Sequence, residues 1–322
     1  MKCKPILIVP GDPNSIFFEI FFKSIKKNTY KSPLILISSL DLVKKEIKRF
    51  NVIKKIKLLD QISLNNTRID NKKINLIKIK NNSFLNIKKN PNNKKKYINY
   101  CFKIAFKILR KKITNKLVNG PIDKSIFLSK KFLGITEFIS EEFNQKKTAM
   151  LIYNKKISVC PITTHLPLKL VSKKINKKLI EEKVILIDRF YKKNLNLKAK
   201  IGVTGLNPHC ESILSFNEDH KIISPTIKSL RKKGYNIRGP YSADTIFLKK
   251  NRDKFNVIIG MYHDQVLAPI KTIIEYDAIN LTLGLPFLRV SPDHGPNKKM
   301  INKNLSNSLS LTKSIKFLDN SD

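Results

Sequence analysis

The sequence returns repeatedly to runs of four or five aliphatic residues: Ile6-Leu7-Ile8-Val9, Leu34-Ile35-Leu36-Ile37, Ile201-Gly202-Val203-Thr204 and Val257-Ile258-Ile259-Gly260-Met261. Runs this short, rich in β-branched residues and bounded by Gly, Pro or Asn, read as strands buried on both faces. Between them lie segments with apolar residues at helical spacing, as at Ile98, Cys101, Phe102, Ala105 and Ile108. Strand and helix in alternation predict an α/β fold with a largely parallel sheet.

Further strands are expected at 56–59, 74–79 and Leu117-Val118, and a strand pair, 149–153 and 156–160, about an Asn154-Lys155 turn. Helices are expected over 16–26, 41–50 with Ser39 as N-cap, 97–112, 179–191, 222–233 with Gly234 as its stop, 244–250 and 305–318. The Asn- and Lys-rich stretch 81–96 reads as an exposed loop.

A length of 322 residues and 41% hydrophobic content are enough for a sizeable core and argue against a disordered chain. The net charge of +40 raises the question of a nucleic-acid partner. The lysines, however, run from end to end without a nucleic-acid motif. The chain is also rich in Asn and Ile, whose codons share the adenine and thymine bias of Lys codons. Compositional bias is therefore the favoured source of the charge, and nucleic acid is expected to bind only nonspecifically, in a salt-dependent way. The four cysteines are scattered with no Cys-x-x-Cys, which fits a reduced, cytoplasmic setting. Cys210, beside His209, is expected to be passive. No apolar run reaches membrane-spanning length.

The five histidines are His165, His209, His220, His263 and His294. His165, His209 and His263 each follow an expected strand or its terminal loop. Three such imidazoles either bind one divalent ion with open positions for substrate, or are unrelated loop residues; the repeated placement favours the first. In Tyr262-His263-Asp264-Gln265, Asp264 is placed to hold an imidazole in one tautomer. His220, among Asn217, Glu218, Asp219 and Lys221, reads as solvent-exposed, and His294 as lining a cofactor pocket. A metal site of this kind suits alcohol oxidation by hydride transfer to a cofactor. No Gly-x-Gly-x-x-Gly fingerprint, nucleophile elbow or P-loop is present.

Eight pieces in order carry a resemblance: Pro10-Gly11-Asp12-Pro13, Gly120-Pro121-Ile122-Asp123-Lys124, Gly134-Ile135-Thr136-Glu137-Phe138, Thr163-Thr164-His165-Leu166-Pro167-Leu168, Gly205-Leu206-Asn207-Pro208-His209, Gly239-Pro240 with Ala243-Asp244-Thr245, Tyr262-His263-Asp264-Gln265, and Gly284-Leu285-Pro286 through Arg289 to Asp293-His294-Gly295. With these the chain resembles the 4-hydroxythreonine-4-phosphate dehydrogenases of vitamin B6 (pyridoxal 5'-phosphate) biosynthesis. The resemblance implies an isocitrate/isopropylmalate-dehydrogenase-like α/β fold. Its two subdomains would be interleaved, approximately 1–120 plus 270–322 and 121–269, with an active-site cleft between them. The whole of 1–322 would be one catalytic unit.

The resemblance also implies a homodimer with shared active sites and a divalent metal (Zn, Mg or Co) on His165, His209 and His263. Substrate binding falls to Thr136, Lys271, Asn280 and Arg289, whose cations suit a phosphate and a carboxylate. The cofactor, NAD or NADP, falls to His294 and Gly295. Asp244 and Asp264 are the candidates for proton handling or metal support. The implied reaction oxidises 4-phosphohydroxy-L-threonine to 2-amino-3-oxo-4-phosphooxybutanoate, which decarboxylates to 3-amino-2-oxopropyl phosphate.

The sequence departs from the family pattern in four places. Ile135 stands where the family has a substrate-contacting histidine. The first loop, Gly11-Asp12-Pro13-Asn14-Ser15-Ile16-Phe17-Phe18-Glu19, lacks two glycines and a proline. Cys210-Glu211-Ser212-Ile213-Leu214 replaces a glycine-rich loop. After Gly295, Asn302 and Asn304 fall where glycines are expected, and asparagine is the side chain that best tolerates left-handed backbone. The alternatives these departures motivate are a dehydrogenase of another phosphorylated hydroxy acid, and a decayed noncatalytic homologue.

Overall fold

The structure is a computed structural model that describes residues 3–61, 64, 69–79, 87–88, 90–127, 132, 134–211 and 216–321. Among them the strands are β1 (Ile6–Val9), β2 (Leu34–Ser38), β3 (Ile56–Leu58), β4 (Ile74–Lys78), β5 (Lys116–Asn119), β6 (Ala149–Tyr153), β7 (Ser158–Pro161), β8 (Ile201–Thr204), β9 (Ile237–Tyr241), β10 (Val257–Gly260), β11 (Ile279–Leu283) and β12 (Leu288–Pro292). The helices are α1 (Phe17–Lys27), α2 (Leu40–Arg49), α3 (Pro91–Arg110), α4 (Lys124–Phe127), α5 (Ile135–Glu142), α6 (Val171–Lys174), α7 (Lys177–Leu195), α8 (Ser224–Lys232), α9 (Ala243–Ile246), α10 (Lys249–Arg252), α11 (His263–Ile274) and α12 (Leu309–Asp319). The chain divides into two compact units, Met1–Phe138 with Pro286–Asp322, and Ile139–Leu285.

The first unit holds strands in the order β3-β4-β2-β1-β5-β12, parallel at each pairing. Every residue of β1, β2 and β5 is buried, as strands covered on both faces must be, the polar Ser38, Lys116 and Asn119 included. Chain order reverses at β1: β2 lies on one side of it and β5 on the other. The loops leaving β1 and β5 therefore part at their carboxyl ends, the place where open α/β sheets take ligands. Those two loops are packed on each other. Gly120 N–H donates to Val9 O at 2.7 Å, and Asp12 N–H donates to Pro121 O at 2.9 Å. A side chain on Gly120 would run into the Pro10 carbonyl, so only glycine fits there.

The second unit holds β11-β6-β7-β10-β8-β9. β6 runs antiparallel to both β11 and β7, while β7, β10, β8 and β9 are mutually parallel. Ile152, Val159, Ile258, Val266 and Ile270 form part of its apolar core, so the face of α11 that carries Val266 and Ile270 is buried with the strands before it.

Two expectations need correction. The exposed loop expected over 81–96 is helix from Pro91 onward; 81–86 and 89 lie outside the described residues. Asn90 caps that helix by accepting from Asn92 N–H and Asn93 N–H, and Pro91 occupies the first turn, where its missing N–H costs nothing. The asparagines that read as loop are thus a start signal, and Lys94 and Tyr97 of the first turns are buried. Ser39 does precede α2, but its side chain makes no capping bond.

Candidate functional site

In the unit Ile139–Leu285, the three strand-end histidines follow adjacent parallel strands. His165 lies beyond β7, His209 beyond β8 and His263 beyond β10, and β10 is the middle strand of the three. Neighbouring strands are about 4.8 Å apart, so the three loops leave one short edge. The His165 and His263 rings stand 5.9 Å apart, centroid to centroid. His263 is also the first residue of α11, a helix the strand-end reading did not anticipate.

Each of two imidazoles has a partner at Nδ1. His263 Nδ1 lies 2.7 Å from Asp264 Oδ1, which fixes a tautomer with Nε2 as the free lone pair. His209 Nδ1 lies 3.4 Å from Ser242 Oγ, and that hydroxyl donates to Asp244 Oδ1 at 2.6 Å. This hydroxyl, with the nearby His209, holds Asp244 below the usual carboxylate range. Asp244 and Asp264 are both exposed and both serve imidazoles, as carboxylates behind metal-ligating histidines do. The chemistry of the donor set therefore fits a divalent ion. Among the described residues, no three His, Cys, Asp or Glu side chains stand close enough to hold one together.

Two residues to which the sequence reading gave no role build this edge. Gln265 accepts from Met261 N–H at 2.7 Å and Thr204 Oγ at 2.9 Å, and donates to Gly205 O at 2.7 Å, tying the ends of β8 and β10. Asp219 is completely buried. Its carboxylate accepts from Leu206 N–H at 2.7 Å, Asn207 N–H at 3.0 Å and Asn207 Nδ2 at 2.8 Å. The loop that presents His209 is thus folded around one carboxylate. In sequence Asp219 sits in a charged stretch beside His220, which is exposed as expected, and nothing local separates the two.

The loop also carries strain. His209 and Cys210 both have positive φ, 54° and 61°. Such a conformation costs a non-glycine residue about 1 kcal/mol. Burial raises the Cys210 thiol above its ordinary range, with the Asp219 charge adding to the effect, so it is a poor thiolate. Residues 212–215, where the family's glycine-rich loop is replaced, lie outside the described residues.

The substrate candidates of this unit are Lys271, half-buried in the last turn of α11, and Asn280 in β11. Asn280 Oδ1 is buried and has no hydrogen-bond partner among the described residues, an acceptor left for a donor from outside.

In the other unit, Thr136 lies in the first turn of α5, beside Ile135. Arg289, on β12, is 1% exposed and donates from Nε to Asn119 Oδ1 at 2.7 Å. Burial lowers its guanidinium to about 10, against the upward pull of Glu137, so it stays charged at neutral pH. Arg289 is therefore not a solvated surface charge.

At the β1 carboxyl end Asp12 is also buried. Its carboxyl is raised by that burial, although Asn14 N–H, Lys94 and Lys298 pull the other way. Lys298 makes an ion pair with Asp123 at 2.5 Å.

His294 Nδ1 lies 3.0 Å from Gly295 O, and Gly295 is exposed with open space where a side chain would stand. Its backbone can be approached closely, which fits a nucleotide cofactor. The segment that follows is pinned to α1: Lys23 Nζ donates to Asn304 O and Ser306 O, and Glu19 accepts from Ser306 N–H at 2.6 Å. Asn297, Asn302 and Asn304 have φ of 46°, 76° and 52°. At Asn302 and Asn304 the left-handed path expected of the missing glycines is kept, with asparagine in their place.

The comparisons with known proteins agree on one family. The profile of the family described as "Pyridoxal phosphate biosynthetic protein PdxA" matches residues 29–318. A 4-hydroxythreonine-4-phosphate dehydrogenase of Wigglesworthia glossinidia brevipalpis is 34% identical over 321 residues, 98% of this chain and 95% of that protein. One from Sulfurihydrogenibium sp. is 39% identical over 218 residues, 66% of this chain and 67% of that protein. A D-threonate 4-phosphate dehydrogenase of Pectobacterium atrosepticum is 32% identical over 198 residues, 61% of each chain. The solved structure of the Klebsiella pneumoniae 4-hydroxythreonine-4-phosphate dehydrogenase superposes with a TM-score of 0.83 at 25% identity, covering 99% of both chains. A β-decarboxylating dehydrogenase of Thermococcus kodakarensis shares the fold, with a TM-score of 0.51 at 12% identity over 97% of this chain and 81% of that one. The fold is thus α/β of the isocitrate/isopropylmalate-dehydrogenase-like kind, and the chain belongs to the PdxA family of pyridoxal phosphate biosynthetic proteins.

Proposed function

We propose that this chain is a metal-dependent dehydrogenase that oxidises the secondary hydroxyl of 4-phosphohydroxy-L-threonine with NAD or NADP. The product, 2-amino-3-oxo-4-phosphooxybutanoate, is a β-keto acid and loses CO₂ to give 3-amino-2-oxopropyl phosphate. The observation that carries the reading is the set of histidines at the ends of three neighbouring parallel strands, two of them 5.9 Å apart.

His165, His209 and His263 would hold a divalent ion, and His294 and Gly295 would border the nicotinamide cofactor. When bound, the ion supplies Lewis-acid polarisation of the substrate oxygen and the nicotinamide supplies the hydride acceptor. The chain's own residues do the rest. Asp264 and the Ser242–Asp244 pair orient the His263 and His209 imidazoles. Lys271 and Arg289 supply positive charge for a substrate that carries a phosphate and a carboxylate. Asn280 Oδ1 offers an acceptor, and Thr136 a hydroxyl. In this reading a homodimer completes each site with residues of both subunits.

A second reading is favoured by Ile135, which can neither donate a hydrogen bond nor carry charge where the family has histidine. In it the substrate is another phosphorylated hydroxy acid, such as the D-threonate 4-phosphate of the Pectobacterium relative's name. The test is the purified protein with Zn, Mg or Co, NAD or NADP and each substrate, followed at 340 nm. Turnover of 4-phosphohydroxythreonine supports the first reading, turnover of threonate 4-phosphate alone the second, and none with any metal removes both. His263→Ala is expected to lose bound metal; unchanged metal content would refute the ligand assignment.

A further inference from the structure

Arg289 is the second residue of β12 and lies opposite Leu117 of β5 in parallel register. Residues two apart on a strand share a face, so Arg289, Leu117 and Asn119 stand on the same side of the sheet. Asn119 is the last residue of β5. The bond from Arg289 Nε to Asn119 Oδ1 therefore draws the guanidinium along the sheet toward its carboxyl edge, where open α/β sheets take ligands.

The amide that makes this bond is itself fixed. Asn119 is 2% exposed, and its Nδ2 donates to Gly120 O at 2.9 Å. Arginine has no acceptor and a carbonyl has no donor, so the two bonds agree on which end of the amide is oxygen. Gly120 in turn is pinned to β1 through Val9 O. The direction of Arg289 is thus set by the strands beside it and not by its own rotamers alone.

Asn119 is also uncharged. A carboxylate in its place would orient the arginine and cancel its charge together, and an amide does the first without the second. A carboxylate that does act on Arg289, Glu137, lies beside the substrate candidate Thr136 on α5, and its pull is weaker than the effect of burial. Burying a cation costs stability that well-packed apolar side chains would not. Holding one here without neutralising it suits a binding site better than a core.

We propose that Asn119 is a positioning residue: it aims the Arg289 guanidinium at an anionic group of the substrate and leaves its charge intact. This rests on the proposed function, in which Arg289 binds a phosphorylated hydroxy acid.

A double-mutant cycle on the full chain tests it, with the metal, cofactor and phosphorylated substrate that support turnover. Asn119→Ala is expected to raise KM at least tenfold with kcat within threefold, as loss of binding shared by ground and transition states does. Arg289→Ala is expected to raise KM at least as much. In the Arg289→Ala background, Asn119→Ala is expected to change kcat/KM by less than threefold, because the amide acts through the arginine. Asn119→Asp keeps the acceptor but adds a charge, and is expected to raise KM at least tenfold; it carries the test if Asn119→Ala does not fold. The Arg289 Nε–H resonance of 15N-labelled protein, assigned by its loss in Arg289→Ala, reads the geometry without turnover. Its exchange with water is expected to quicken at least tenfold in Asn119→Ala.

Wild-type KM in Asn119→Ala or Asn119→Asp, beside a raised KM in Arg289→Ala, would overturn the proposal and leave Arg289 as the substrate's cation. The same loss from Asn119→Ala in both backgrounds, or unchanged Nε–H exchange, would also overturn it. Wild-type KM in Arg289→Ala, or no turnover by the wild type, would instead remove the substrate role of Arg289 and the proposal with it.

Discussion

Replacing Asp219 tests how the His209 loop is held. Asp219→Ala removes the acceptor of three bonds, two of them from the backbone N–H groups of Leu206 and Asn207. A bond to a charged acceptor contributes about 1.5–3 kcal/mol, and neighbouring bonds do not add in full. Leu206 and Asn207 are only half-buried, so water recovers part of the loss. A local cost of about 3 kcal/mol follows, which is about a hundredfold in the opening equilibrium at 1.4 kcal/mol per tenfold.

The assay is amide hydrogen exchange at Leu206 and Asn207, which reads the loop without requiring the two-unit chain to unfold in one step. Protection is expected to fall about a hundredfold in Asp219→Ala, and less in Asp219→Asn, which keeps one acceptor. On the proposed function, zinc affinity is expected to fall about 10–100-fold with it, since the loop carries a ligand. His220→Ala, next door but exposed, is expected to change neither. Protection within threefold of wild type in Asp219→Ala would refute the view that this carboxylate organises the loop.

Two further outcomes follow. Asn302→Gly and Asn304→Gly, at left-handed positions, are each expected to raise stability in urea titration by a few tenths of a kcal/mol, and Asn302→Ala to lower it by about 1 kcal/mol; the opposite order would show that the asparagine side chains, not the path, matter. Asp12, raised by burial, keeps its proton in the folded chain over a window above the ordinary carboxylate range, so stability falls as pH rises through that window and the buried charge is a net cost beyond it. Asp12→Asn is therefore expected to melt higher than wild type at pH 7, with the difference closing as pH drops below the ordinary carboxylate range; a lower melting temperature at pH 7 would contradict this.

Much of the fold was legible because burial on both faces forces an unbroken aliphatic run, as in β1, β2, β8 and β10. What was lost lay where one residue type serves two ends. Asn90 to Asn93 read as loop, yet asparagine is also a cap, and the helix starts there. His263 read as the close of a strand, but it opens α11, because a buried strand and the helix after it can meet with only two residues between. At the candidate site, the histidines were visible as types at strand ends. Gln265 and Asp219 were not, because their role lies in backbone groups far away in sequence. Arg289 read as a cation facing substrate; its burial against Asn119 depends on the neighbour β5, which no local pattern reveals.

The loop after Gly295 separates two demands that glycine usually meets together. At Asn302 and Asn304 the backbone asks only for a positive φ, and asparagine in place of the expected glycine is survivable there. At Gly120 the neighbouring Pro10 carbonyl occupies the volume of a first side-chain carbon, and no substitute exists. A lineage under pressure to shed glycine would thus run out of dispensable positions in a fixed order, torsional ones first and steric ones never. Gly11, Gly120, Gly239 and Gly284 mark where this backbone touches itself.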